Sequence, residues 1–252
     1  MSDVKEYDVV IIGAGVAGIF AGYELTSRNP DLKVILLEQG TRIEERSCPI
    51  ISKKVDSCIN CKPCAIMRGF GGAGAFSDGK FNFTTQFGGW LNDYMKDSDV
   101  MDLIDYVDSI NLKFGATDEV FSTMTPTADT IRRKAVSYDL HLMDARCKHL
   151  GTERNREILL EQSKWLEKHL DLSCNTRVSE IEPLANGKYH LETSIGSIEC
   201  KYLIAAPGRS GAEWFSKQCH KLSLPMINNQ VDLGVRVELP AIVFKEITDA
   251  MY

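Results

Sequence analysis

Val9-Val10-Ile11-Ile12 feeds directly into Gly13-Ala14-Gly15-Val16-Ala17-Gly18, and no other stretch limits the possible folds of this chain so tightly. That order suits a strand that stops at a tight turn and restarts as a helix. An apolar helical pattern follows, Ile19-Phe20-Ala21-Gly22-Tyr23-Glu24-Leu25. A second apolar run, Val34-Ile35-Leu36-Leu37, then ends on Glu38, 25 positions after Gly13. Strand, glycine turn, helix, strand and distal acid together make a βαβ dinucleotide fingerprint. Gly13 permits the turn, Gly15 lets backbone approach a pyrophosphate, and Gly18 lets the helix pack close to the strand. The first N–H groups and the positive dipole end of the helix hold phosphates, and Glu38 accepts hydrogen bonds from a ribose. A glycine turn that binds nothing would leave Glu38 without a purpose.

The acid also argues against a 2′-phosphate, hence against NADP at this site. FAD and NAD are left. The motif begins within the first fifteen residues and Gly22 extends it to G-x-G-x-x-G-x-x-x-G, a form usual in flavoproteins, so the expectation is FAD. The chain's 252 residues allow one or two domains, and 44% hydrophobic with 25% charged residues is an ordinary globular composition. A formal net charge of −6 gives no support to nucleic acid or an anionic membrane as partner. No apolar run approaches the length of a membrane span, and Met1-Ser2-Asp3-Val4-Lys5-Glu6 is too polar for a signal peptide. A cytoplasmic location is expected. There, eight cysteines point to thiols, metal or redox chemistry rather than a disulfide framework.

Residues 1–47 read as the first part of a nucleotide-binding domain and 48–90 as a loop rich in cysteine and glycine. Residues 91–170 read as a mainly helical insertion, with Leu103, Ile104, Val107 and Ile110 on one face and Thr152 as the cap of a later helix. Leu172-Ser173-Cys174-Asn175 is a return strand. Arg177 to Ile181, Tyr189 to Thr193 and Ser197 to Ile204 form a three-stranded meander within 171–215. Residues 216–252 read as the start of a substrate domain, with a strand over Val231 to Glu238. The pattern Cys48-x9-Cys58-x2-Cys61-x2-Cys64 leaves three readings open: a zinc or iron–sulfur site, a redox-active thiol pair, or reduced cysteines that only pack. Cys174 and Cys200 read as buried thiols on strands. His149, Arg132-Arg133-Lys134 and Arg236 are weaker candidates for the substrate side.

Two segments carry a narrower resemblance. Cys58-Ile59-Asn60-Cys61-Lys62-Pro63-Cys64 running into Gly69-Phe70-Gly71-Gly72-Ala73-Gly74-Ala75-Phe76-Ser77-Asp78-Gly79-Lys80 is similar to a bacterial family of FAD-dependent, NAD(FAD)-utilising dehydrogenases within the glutathione-reductase-like FAD superfamily. Tyr202 to Ala212 and Asp232 to Glu238 resemble it as well. The resemblance implies an α/β fold, a Rossmann-like FAD-binding domain with a parallel sheet and a three-stranded β-meander, plus a helical insertion and the start of a second, substrate domain. It places Gly13, Ala14, Gly15, Val16, Ala17 and Gly18 on the pyrophosphate, and Glu38 and Gln39 on the adenosine ribose. Gly72, Ala73, Gly74 and Ser77 then run along pyrophosphate and flavin, Val178 reads the adenine edge, and Ala206 and Gly208 end a strand beside the cofactor.

The implied activity is hydride transfer through the flavin on a small-molecule substrate, with NAD as an electron partner and no catalytic residue assigned. The alternative is a truncated or non-catalytic module that passes electrons through a cysteine-bound cluster to a partner protein. Such flavoproteins return to the cofactor near their C-terminus with a Gly-Asp segment, and nothing after Gly208 supplies one. The chain is therefore expected to be the N-terminal part of a longer protein.

Overall fold

The computed structural model describes residues 4–228, 231 and 233–251. These divide into two compact units, Met1–Ser77 with Arg156–Ile227, and Asp78–Asn155 with Asn228–Tyr252.

The first unit is a Rossmann-like α/β fold. Strand β1 (Lys5–Ile12) leads into helix α1 (Val16–Arg28) and strand β2 (Val34–Leu37). Later strands join the same sheet as residues 171–173, 178–183, 189–193 and 196–205. The 171–173, β2, β1 and 196–205 strands pair in parallel, and the last three strands form the antiparallel meander. β1 sits at the centre, so both its faces are covered and its apolar run need not alternate with polar residues. Val9 and Ile11 pack into the core on one face, with Ile19, Leu36 and Leu166. Val10 and Ile12 pack on the other with Leu37, Val178 and Ile198. That split follows from the two-residue period of a strand. On α1, a Cβ at Gly22 would fall 2.9 Å from a Leu170 methyl carbon, so the missing side chain makes room for the apolar end of the helix over Gly151–Leu166 and the residues after it.

The second unit holds a feature the sequence pattern did not disclose. Strands β3 (Lys80–Phe83), β4 (Phe121–Ser122) and β5 (Arg146–His149) form an antiparallel sheet in the order β3-β5-β4. Helices α2 (Asp97–Lys113) and α3 (Pro126–Val136) belong to the same unit. Residues 91–170 are mainly helical, as expected, with the two short strands β4 and β5 set between the helices. The buried stripe of α2 also differs from the expected one: Val100 and Ile110 are buried, whereas Leu103 and Val107 are exposed. Lys148 of β5 explains part of the shift. It is buried, and its ammonium donates to both carboxylate oxygens of Asp108, at 2.9 and 2.7 Å, which turns the Asp108 side of the helix inward. Arg132 is held by Asp129, Asp144 and the Thr123 carbonyl, which supports the fold rather than an anion site. Val231 and residues 233–238 lie in no strand, contrary to expectation, and Arg236 pairs with Glu238 at 2.8 Å. Asp232 lies outside the described residues.

Candidate functional site

A cleft of about 470 Å³ opens in the first unit where β1 and β2 end. Among the residues expected at a cofactor, Gly13, Gly15, Val16, Glu38, Gln39, Gly72, Ala73, Gly74, Val178, Ala206 and Gly208 line it. Ala14 and Gly18 are buried just behind its wall, and Ala17 and Ser77 are exposed beside the same elements.

The glycine turn is fixed by close backbone contacts. Gly13 has φ +98°, and a Cβ on it would fall 2.3 Å from the Ala206 carbonyl oxygen. At Gly18 a Cβ would fall 1.9 Å from the Gly13 carbonyl oxygen, so the first turn of α1 lies directly against the end of β1. Gly15 is the exception, because a Cβ there would meet nothing within 4 Å. It is also the N-cap residue of α1, in extended backbone and with no side-chain cap, so the amides of the first turn stand at the cleft without an intrahelical acceptor.

Glu38 holds two loops to this turn. Its carboxylate is buried and accepts from the backbone N–H of Ala14 (2.9 Å), Gly40 (2.8 Å) and Gly69 (2.9 Å). A carboxylate has about four acceptor sites, so roughly one is left for a ligand hydroxyl. The acid therefore ties the loop over residues 65–72 to the glycine turn as well as presenting an acceptor to the cleft. Gly71 adds a second tie, donating to the Ala14 carbonyl at 2.7 Å.

Arg46 was not singled out in the sequence, yet it organises that loop. Its side chain is fully buried. The guanidinium donates to the carbonyls of Ala65 (2.7 Å), Ile66 (2.9 Å), Phe70 (2.7 Å) and Gly72 (2.6 Å), with a longer bond of 3.4 Å to Gly69. Burial pushes its pKa down to about 10, opposed by the nearby Glu38 charge, and this leaves it cationic at neutral pH. The fixed fork of five N–H donors suits a ring of carbonyls that no apolar side chain could satisfy. Arg68, Arg177, Arg209, Ser210 and Trp214 also line the cleft without having been expected there. Arg68 reaches across it to donate to the Ser210 carbonyl at 3.1 Å.

The structure does not gather the four cysteines of the expected metal pattern. Cys48, Cys58, Cys61 and Cys64 are free thiols, and among the described residues no three His, Cys, Asp or Glu side chains gather as a metal would require. Cys58 and Cys64 are exposed and Cys48 and Cys61 half-buried, while Arg46 organises the carbonyls of residues 65–72 that follow them. Cys200 is buried on its strand, as expected, and Cys174 is half-buried just beyond the end of one; burial pushes each thiol up to about 11. In the second unit His149 lies 3.6 Å from Asp78.

Comparison with known proteins agrees with this architecture. Residues 1–43 match the model of the Thi4 family. An uncharacterised protein of Clostridium beijerinckii is 27% identical over 231 residues, 92% of this chain and 36% of that protein. A mitochondrial L-2-hydroxyglutarate dehydrogenase of Dictyostelium discoideum is 49% identical over 55 residues, 22% of this chain and 11% of that one. Among solved structures, glycine oxidase from Geobacillus kaustophilus superposes with a TM-score of 0.51 at 15% identity, covering 88% of this chain and 60% of that one. The chain thus spans about a third of the Clostridium protein's length. The likeness to glycine oxidase is one of fold. Among the described residues, no helix is long and apolar enough to cross a membrane.

Proposed function

We propose that the cleft binds FAD and that the protein is an FAD-dependent oxidoreductase acting on a small molecule. One observation carries the reading: the backbone at Gly15 is open at the uncapped start of α1, while Gly13 and Gly18 on either side are packed to contact. An open glycine between two closed ones is what a pyrophosphate needs from this turn. The remaining acceptor site of Glu38 suits a ribose hydroxyl and repels a 2′-phosphate, which favours FAD or NAD over NADP. The short match to an L-2-hydroxyglutarate dehydrogenase and the Thi4 family match, both partial, support the cofactor half of the reading. The resemblance to NAD(FAD)-utilising dehydrogenases supports FAD as the bound group and NAD as electron partner.

When bound, FAD supplies hydride acceptance and donation. The chain's own part is to bind and orient. The α1 amides hold phosphate charge, Glu38 sets the ribose, and Arg46 keeps residues 65–72 shaped over the turn. Acid release and chromatography of the cofactor from the purified complete protein, with FAD counted per chain, test the reading. The expected result is stoichiometric FAD in the wild type and none in Gly15→Val, whose melting temperature stays near that of wild type stripped of FAD because the added side chain enters open space. Full FAD occupancy in Gly15→Val overturns the phosphate assignment, and recovery of NAD alone overturns the cofactor.

A further inference from the structure

We propose that Trp214 is the stacking wall for the nucleotide's base. This rests on reading the cleft as a dinucleotide site. The helix over Ala212–Lys221 leaves the cleft at Gly211, and Trp214 lies in its first turn. Trp214 lines the cleft and also packs against the core cluster that contains Val178 and Ile181. The indole N–H donates to the Ser179 carbonyl at 2.9 Å. That carbonyl belongs to an irregularity: the 178–183 strand shifts register against its neighbour between Val178 and Glu180. Bulged residues drop out of the ladder, so Ser179 has a carbonyl to offer a side chain. Gln218, one turn further along the helix, donates to the same carbonyl at 3.3 Å and accepts from the Ile181 N–H at 3.0 Å. Two side chains four residues apart thus clamp the helix to the edge strand, and the ring is held in one orientation.

Its position along the cleft selects the base. Phosphate belongs at Gly15 and ribose at Glu38. The Glu38 carbonyl accepts from the Thr176 N–H at 2.8 Å, so the wall formed by Thr176, Arg177 and Val178 starts beside the acid. Trp214 is anchored one residue beyond that wall. A nucleotide entering phosphate-first to α1 brings its base to a flat, immobilised aromatic face whose polar atom is already satisfied. Such a face gains from a π-system and has no free hydrogen-bond donor to offer a phosphate.

Displacement of FAD from the holoprotein by ADP and by pyrophosphate, followed by flavin fluorescence, tests this, with tryptophan emission as a second readout. Trp214→Leu is expected to weaken FAD and ADP by about 5- to 150-fold, since base stacking on an aromatic ring is worth about 1–3 kcal/mol, and to leave pyrophosphate unchanged. Trp214→Phe keeps a ring without the N–H and is expected to stay within about threefold of wild type. ADP should quench tryptophan emission in the wild type, and Trp214→Phe should abolish that quenching. If Trp214→Leu holds ADP as tightly as wild type, stacking is refuted while the cleft reading stands. Equal loss of ADP and pyrophosphate would make Trp214 purely structural and also refutes stacking. A wild type that binds neither FAD nor ADP refutes the cleft reading and this proposal together.

Discussion

Two loops meet at the cleft, and they are held by opposite means. The turn over Gly13–Gly18 is set by side chains that are absent, since a Cβ at Gly13 or Gly18 would press into a carbonyl oxygen. The loop over residues 65–72 is set by one side chain that is present, Arg46, which satisfies a ring of carbonyls from inside. The first is rigid because its backbone has no alternative at such close range. The second is held by that guanidinium together with backbone ties to Glu38, Ala14 and Thr41. Glu38 joins them, with Ala14 on one side and Gly69 on the other. A nucleotide site built this way has a wall fixed by backbone packing for the phosphates and a wall shaped by hydrogen bonds to Arg46 and Glu38.

The largest expected effect separates two glycines of the same turn. Gly18→Val should destabilise the protein by more than about 4 kcal/mol or prevent folding, because the new carbon meets backbone that cannot give way. Gly15→Val should cost less than about 1 kcal/mol, because it enters open space. Urea denaturation of both variants checks this, and equal stability would show that the turn is not packed as described.

Arg46→Met should come next, at about 3–5 kcal/mol, because buried carbonyls lose their donor. The damage should be local, so limited proteolysis should cut between Cys64 and Gly72 while the sheet stays protected. Uniform loss of protection would mean that the loop is no independent element. Arg46→Lys should recover only part, since an ammonium has three donors and no fork.

Glu38→Gln tests the tie between the loops. An amide nitrogen would face a backbone N–H where a carboxylate oxygen now accepts, and the expected cost is about 2 kcal/mol. Unchanged stability in thermal melts would indicate that the two loops hold without it. The smallest effect belongs to the cysteines. Serine at Cys58, Cys61 and Cys64 together should change stability by no more than about 0.5 kcal/mol, as for ordinary surface positions. A larger loss, accompanied by zinc or iron released from the wild type, would restore the metal reading.

The difference between the loops also explains what could be read in advance. The glycine turn, Glu38, the return strand and the meander all announce themselves within short windows, because strand period, turn chemistry and helix start are local properties of the chain. The six-stranded sheet followed from those windows. The β3-β5-β4 sheet did not, because Arg146-Cys147-Lys148-His149 carries no apolar alternation, and Lys148 is buried only because Asp108, 40 residues away, neutralises it.

The sequence by itself determined a βαβ nucleotide turn, the acid that ends its second strand and the strand segments of the later meander, since each depends on neighbours within a few bonds. Tertiary structure alone decided that Arg46 gathers the carbonyls of residues 65–72, that Glu38 ties two loops as well as facing the cleft, and that Trp214 reaches that cleft. Those outcomes depend on carbonyls and amides brought together from distant segments. A buried polar group takes whatever partner the fold delivers, and no local pattern of residues records which one that will be.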